Sequence, residues 1–405
     1  MRSIVVIGGG PAGTFAAIAA KRQDPAATVT LLTDERCEPY VKPPLSKAVL
    51  LGVAAPADAL IAGPGGVATH GVVLRTGARS AAIDRTQHTV VLDDGRRLPY
   101  DVLVLATGAT AREIPLLPPG MPRVHYLRTE FDARALKDAL GRSGSLLVVG
   151  GGLIGLEVAA CAATLGVKTT VVEVAPRILA RVCDEQIGAA VHAVQARRGV
   201  EIRVATTLAS VTARADGCIE ATTARGDALT ADLVVVGTGS KPDDGLAAAA
   251  GLPTDDGIIV DALCRTVDPS ILAAGDCVRF PGPHGIVRLE NWKHAQDHGT
   301  VAGRNAAGAS EAYITVPSFW SEQYDLYIQG VGWPCRHGAH VHRALGGVGQ
   351  ITFEVADGCV AHATSINAQR DMAAVRRLIE RAVPIDPVAL ADPKQPLTAM
   401  LKRSG

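Results

Sequence analysis

One glycine-bearing pattern occurs twice in this chain, and the duplication limits the available folds more than any other feature. IVVIGGGPAGTFAAIAA carries Gly8, Gly10 and Gly13 in GxGxxG spacing, and LLVVGGGLIGLEVAA repeats it with Gly150, Gly152 and Gly155. A single GxGxxG is weak, because glycine-rich turns are common. Here each copy follows a Val/Ile/Leu strand and opens a helix-compatible run, the context a dinucleotide fold requires. Each is followed by a strand that ends in an acid, TVTLLTD to Asp34 and KTTVVE to Glu173. The glycines let backbone N–H groups approach a pyrophosphate at a helix N-terminus, and the acid accepts hydrogen bonds from a ribose. A second repeat agrees with the first. YDVLVLATGA (100–109) aligns without gaps to ADLVVVGTGS (231–240), pairing Asp101 with Asp232 and Gly108 with Gly239, both 131 positions apart. Alternating stretches upstream, such as HTVVLDDGRRL with Asp94-Gly95, read as antiparallel hairpins. The expectation is an α/β chain with two related, Rossmann-like nucleotide-binding domains.

DDGIIVDALCRTVDPSILAAGDC (255–277) then runs an apolar strand into AAGD without a third fingerprint. From about Val316 a different module begins with FWSEQYDLYIQGVGW. Strand-like segments around ITFEV and GCVAHATSI follow it, and then a helix-like AQRDMAAVRRLIERAV (368–383). The expected organisation is 1–112 and 245–315 as two parts of one nucleotide domain, 113–244 as the other, and 316–405 as a C-terminal α+β module. On the last helix Arg370, Arg377 and Arg381 share one face, which is either a solvated surface or a cationic rim.

Forty basic and forty acidic residues cancel, so no global field draws the chain toward nucleic acid or an anionic membrane. Eight cysteines (37, 161, 183, 218, 264, 277, 335 and 359) show no CxxC. They read as free thiols in a reducing cytosol, and no zinc or iron–sulfur spacing exists. The eleven histidines form no HExxH, so no metal is expected, and they read as structural or surface residues. Two stretches imitate membrane signals. The N-terminus looks like a signal peptide, but cleavage would destroy the fingerprint inside it. Residues 145–167 are long enough to span a bilayer, yet three glycines and Glu157 in their middle fit a strand–turn–helix better. The chain reads as soluble and cytoplasmic.

The motifs GGGPAG, PPLSK, ATG, GGGLIGLE, GTGSKPD, AAGDC, LENWKHAQDHG and FWSEQYD together resemble the FAD-dependent, NADH-oxidising ferredoxin reductases of bacterial oxygenase systems. Those proteins have the glutathione reductase superfamily fold. The glycine motifs and AAGD are shared across that superfamily, whereas PPLSK, LENWxxAxxxG and FWSxQYD are specific to this branch. The resemblance implies that the first fingerprint binds FAD, the second binds NADH, and the C-terminal module is an interface domain. It implies that Gly8, Gly10, Gly13 and Asp34 hold the ADP half of FAD. Thr107 and Gly108 would lie along the same cofactor, and Asp276 would bond its ribityl chain. Lys47, paired with Glu157, would approach the flavin ring, which Trp292 and Trp320 would flank. Lys47, Glu157 and Trp320 are thus the catalytic candidates. Gly150, Gly152, Ile154, Gly155, Glu173 and Gly239 would hold NAD. Lys42 stands where the family writes Arg in RPPLSK; it keeps the charge but loses the planar, multi-donor guanidinium.

Cys37 has no second cysteine near it in sequence, so electrons are expected to leave the flavin directly. A one-electron iron–sulfur ferredoxin, acidic by the same resemblance, is the matching acceptor, and a separate terminal oxygenase would consume the electrons. Other readings stay open. Pro43-Pro44 can simply begin a helix, and the tryptophans can be core residues. A rubredoxin, a quinone or oxygen can replace ferredoxin as acceptor. A redox-signalling flavoprotein, resembling apoptosis-inducing factor, would want insertions or a basic patch that are not seen.

Overall fold

The computed structural model describes residues 1–335 and 337–402. Their contacts divide the chain into two compact units, one of 1–43, 55–110 and 240–315, the other of 44–54, 111–239 and the residues from Val316 on.

The first unit is built on a five-stranded parallel sheet. Its strand order is Val73–Arg75, Thr28–Leu32, Ser3–Ile7, Val102–Leu105, Ile271–Ala273. Ile4, Val6, Leu103, Val104 and Leu105 are wholly buried, as the continuous apolar runs of a doubly covered sheet require. The fingerprint helix, Pro11–Gln23, starts beside the place where strand order reverses, which is where open α/β sheets bind ligands. Helix Trp292–Ala306 packs along it so closely that a Cβ on Gly299 or Gly303 would stand 2.1 Å from the carbonyl oxygen of Ala12 or Ala16. The expected hairpin is present as Thr89–Leu92 paired with Arg97–Pro99, with Gly95 in a left-handed conformation.

In the second unit the same plan recurs, in the order Glu201–Arg203, Lys168–Val172, Ser145–Val149, Leu233–Val236, Val124–Tyr126. The membrane-length stretch is a strand, Ser145–Val149, and a helix, Leu153–Thr164. No helix among the described residues is long and apolar enough to cross a membrane. The C-terminal module is an antiparallel sheet ordered Ser318–Gln323, Leu326–Gly332, Cys359–Ile366, Gly349–Ala356, Ala339–Gly346. Helix Gln369–Glu380 buries Met372, Val375 and Leu378 with Ile351 and Phe353 of that sheet. It is shorter than the sequence suggests, because Ala382 turns left-handed (φ 45°) just beyond Arg381. The buried Arg343 guanidinium donates to the carbonyls of Leu390, Pro393 and Gln395 and so fastens the last turns to the module.

The fold is therefore α/β, with two Rossmann-like halves and an α+β C-terminal module. The stretch 44–54 groups with the second unit, whereas the chain reading kept it inside 1–112. The reason is local: Glu157 and Cys161 on helix Leu153–Thr164 grip Ser46 and Lys47.

Candidate functional site

The two fingerprints fold alike. Gly8 (φ 114°) and Gly150 (φ 113°) adopt backbone only glycine tolerates, and a Cβ there would stand 2.1 Å from the Ala106 oxygen or 2.4 Å from that of Gly237. Gly13 and Gly155 let each helix pass over the carbonyl of Gly8 and Gly150. Gly10 and Gly152 are the N-caps: neither helix has a side-chain cap or an acid in its first turn, and a Cβ on either would meet nothing within 4 Å. Unfilled backbone donors at the positive end of a helix, facing open space, suit a pyrophosphate. The residues present fit a dinucleotide in each fold. Ile154, at the start of the second helix, is exposed.

The strand-end acids are not equivalent, although the sequence pairs them. Gly8 N–H donates to the Leu32 carbonyl and Gly150 N–H to that of Val172, so the counterpart of Glu173 is Thr33, and that of Asp34 is Val174. Glu173 is anchored at both oxygens, accepting from Gly151 N–H (2.6 Å) and Ala175 N–H (2.7 Å). Arg177 donates to the carbonyls of Ile178, Ala180, Cys183 and Asp184. Asp34 is exposed. Burial, and then the charge of Asp34, push the carboxyl of Asp243 up. The chain reading did not single out Asp243.

The repeated strand ends also match. Thr107 Oγ1 donates to the Asp243 carbonyl and Gly108 O accepts Asp243 N–H, while Thr238 Oγ1 donates to the Arg112 carbonyl and Gly239 O accepts Arg112 N–H. Lys42 Nζ lies 2.6 Å from Glu35 Oε1 and over the Tyr40 ring, so its cation is already engaged by a carboxylate. Trp292 meets Phe15 edge to face and is half-buried, as is Trp320. Asp276 is half-buried beyond the AAGD turn. Cys37 is half-buried.

That AAGD turn rests on an aromatic cluster. His298 Nδ1 accepts the Gly275 N–H (3.3 Å), and His294 Nδ1 meets Tyr313 Oη (2.7 Å), with Phe280 stacked on His294. Both imidazoles are neutral. Burial drives His294 down to about 3, and burial, then His294, holds His298 well below the ordinary histidine range. Such a histidine takes up its proton only on unfolding. Stability from the pair is therefore intact above the unfolded value near 6.5 and is lost as pH falls below it. We expect a loss of about 1.4 kcal/mol per pH unit for each histidine. Urea melts between about pH 7.5 and pH 5.5 should show this slope, and His294→Gln with His298→Gln should flatten it. A wild type indifferent to pH over that interval would contradict the buried pair.

In the second unit the PPLSK, LIGLE and FWSEQYD motifs converge. Lys47 Nζ lies 3.0 Å from Glu157 Oε1. Ser46 Oγ donates to Glu157 Oε2, and Ser321 Oγ donates to Oε1 at 2.6 Å. Glu157 is 4% exposed. One turn along its helix, the Cys161 thiol, pushed up to about 12 by burial and then by Glu157, contacts the carbonyls of Ser46 and Lys47. Behind Ser321 stand Gln323 and Gln195, both buried. Sequence reasoning brought Lys47 to Glu157 and missed Ser46, Ser321, Gln323, Gln195 and Cys161. Alternation along FWSEQ was the available signal, since it turns Ser321 and Gln323 to one face. Arg370, Arg377 and Arg381 are exposed, while Arg376 pairs with Glu380.

Comparison with known proteins follows from this geometry. Residues 2–299 match the pyridine nucleotide-disulphide oxidoreductase family, and residues 318–401 match the reductase C-terminal family. The chain is 40% identical to the anthranilate 1,2-dioxygenase system ferredoxin–NAD(+) reductase component of Burkholderia cepacia, covering 98% of each sequence. It is 37% identical to rhodocoxin reductase of Rhodococcus erythropolis, covering 96% of this chain and 92% of that one. Among solved structures, putidaredoxin reductase in its covalent complex with putidaredoxin superposes with a TM-score of 0.94. The identity there is 31%, covering 100% of this chain and 99% of that one.

Proposed function

Since the chain belongs to the pyridine nucleotide-disulphide oxidoreductase family, we propose that it is the reductase of an oxygenase system, passing electrons from NADH through FAD to an acidic iron–sulfur ferredoxin. The observation that carries this reading is the meeting of Lys47, Glu157 and Ser321 in one buried constellation, from three motifs that resemble this branch. Bound FAD would accept a hydride as two electrons and release them singly to the iron–sulfur carrier. The first fold would hold it through Gly8, Gly10, Gly13, Asp34, Thr107, Gly108 and Asp276, with Trp292 flanking its ring and Lys42 a further contact. The second fold would hold NADH through Gly150, Gly152, Ile154, Gly155, Glu173 and Gly239. Lys47, held by Glu157, would supply a fixed cation to the flavin, and Trp320 would flank it, as the family likeness implies. The working compartment is the cytoplasm, where thiols persist.

The test is direct. NADH should drive reduction of cytochrome c only when a ferredoxin is added, and oxygen alone should consume little NADH. Equal rates with and without ferredoxin would overturn the reading in favour of an oxidase. Cys37→Ser should leave the ferredoxin-dependent rate within a few-fold; a loss of about a hundredfold or more with FAD retained would restore a thiol relay. Raising salt from about 0.05 to 0.5 M, which shortens the screening length to a few ångström, should raise the KM for ferredoxin several-fold. Replacing Arg370, Arg377 and Arg381 by Glu should flatten that dependence if their exposed face is where the acidic partner is steered.

A further inference from the structure

We propose that Ser321, backed by Gln323 and Gln195, is a positioning residue for flavin reduction, because it fixes the Glu157 carboxylate that holds Lys47. This rests on the reading of Lys47 given above. The hydrogen-bond chain has only one consistent direction. Gln195 Nε2 donates to the Leu156 carbonyl (3.0 Å) and to Gln323 Oε1 (2.9 Å), and Gln195 Oε1 accepts from Tyr324 Oη (3.3 Å). With Gln323 Oε1 occupied as an acceptor, its Nε2 donates to Ser321 Oγ (3.2 Å). A hydroxyl has a single proton. Accepting from Gln323, Ser321 must spend that proton on Glu157 Oε1, 2.6 Å away. Flipping Gln323 would set its Nε2 against Gln195 Nε2, donor against donor, and flipping Gln195 would set its Oε1 against the Leu156 carbonyl, acceptor against acceptor, so neither glutamine is free to turn.

The carboxylate needs this support. A terminal carboxylate torsion is soft and broad, and a cation acts on charge developing in a reaction only while it is held in place. Ser46 pins one oxygen of Glu157 and Ser321 the other, so the plane of the group is set before Lys47 docks against it. The same strand does a second task. Residues alternate along Ser318–Gln323, which turns Ser321 and Gln323 inward and Trp320 and Glu322 the other way. Tyr324, left-handed at φ 55°, ends the strand and reaches Gln195 with its hydroxyl. A slip of one residue would exchange both sets of side chains at once.

The experiment is a cycle on the FAD-loaded protein: wild type, Ser321→Ala, Lys47→Met and the double variant. It reads the rate of flavin reduction by NADH in anaerobic rapid mixing, the flavin midpoint potential, and thermal unfolding. Ser321→Ala should slow reduction about tenfold, the worth of one hydrogen bond to a charged group, and move the potential to a more negative value. In the Lys47→Met background the same change should alter the rate less than about twofold. Ser321→Thr, which keeps the hydroxyl, should restore the rate, and Gln323→Met should act in the same direction more weakly. An equal loss in both backgrounds would make Ser321 merely structural and overturn the proposal. So would a Ser321→Ala protein with unchanged rate and potential while Lys47→Met is slow. If Lys47→Met itself is as fast as wild type, the reading of Lys47 falls, and the role given to Ser321 falls with it.

Discussion

Lys47→Met is expected to keep FAD bound and to slow its reduction by NADH roughly a hundredfold, the usual cost of removing one preorganised charge or donor from a dry site. Retention of fold and flavin follows from what remains. Without Lys47, the Glu157 carboxylate still accepts from Ser46 and Ser321, and these charge-assisted hydrogen bonds offset part of the cost of leaving its charge without a cation. Glu157→Ala is the harsher change. It leaves a largely buried ammonium with no carboxylate, and breaking a buried pair from one side costs about 3–5 kcal/mol. Both variants act on one pair, so the double variant should be little slower than the worse single one. Stopped-flow bleaching of the flavin band measures the rates. Strictly additive effects would count against the pairing.

The second large effect concerns the coenzyme. NADH should exceed NADPH in kcat/KM by at least about tenfold, since placing a phosphate against a fixed carboxylate costs several kcal/mol and each 1.4 kcal/mol is a factor of ten. Glu173 is such a carboxylate: Gly151 and Ala175 hold one oxygen each, so it does not swing aside. Arg177, four residues on, is the cation that the sequence offers to a phosphate. It is instead engaged with four backbone carbonyls. Glu173→Ser should therefore narrow the preference by raising efficiency with NADPH. Equal efficiencies in the unaltered protein would refute the assignment.

Legibility from sequence followed the range of each interaction. The two nucleotide folds were readable because glycine spacing and apolar runs are local and occur twice. The offset between Asp34 and Glu173 was not, because it depends on which residue closes a strand, and strand ends are uncertain by a residue or two from sequence. Lys47 and Glu157 came together only through family likeness, since nothing in their spacing announces a contact over 110 positions of sequence. Ser321, Gln323 and Gln195 have no signature at all beyond strand alternation. They are uncharged, common residues, and their meaning lies in a chain of donors and acceptors that exists only when three segments meet. The buried histidines are a middle case. His294 and His298 are four apart and so share a helix face, but burial alone decides that the face is inward.

The interleaving of the two units bears on how the chain is made. The strand Ile271–Ala273 closes one edge of the first sheet against Val102–Leu105, so the ribosome must release the whole inserted fold before the first one can be completed. The inserted parallel sheet has all its strands by Val236, while its unit gains the antiparallel sheet only from residues beyond Val316. Pairings over such separations are slow to form, and partly built sheets expose edges that invite aggregation. No cut between the two repeats leaves a finished half. Cleavage near residue 240 would remove the edge strand and the packed helix Trp292–Ala306 from one unit and the antiparallel sheet from the other. A nascent chain arrested between Val236 and Ile271 thus carries every strand of the inserted sheet but a first sheet with one edge open, and that edge is what chaperones have to guard.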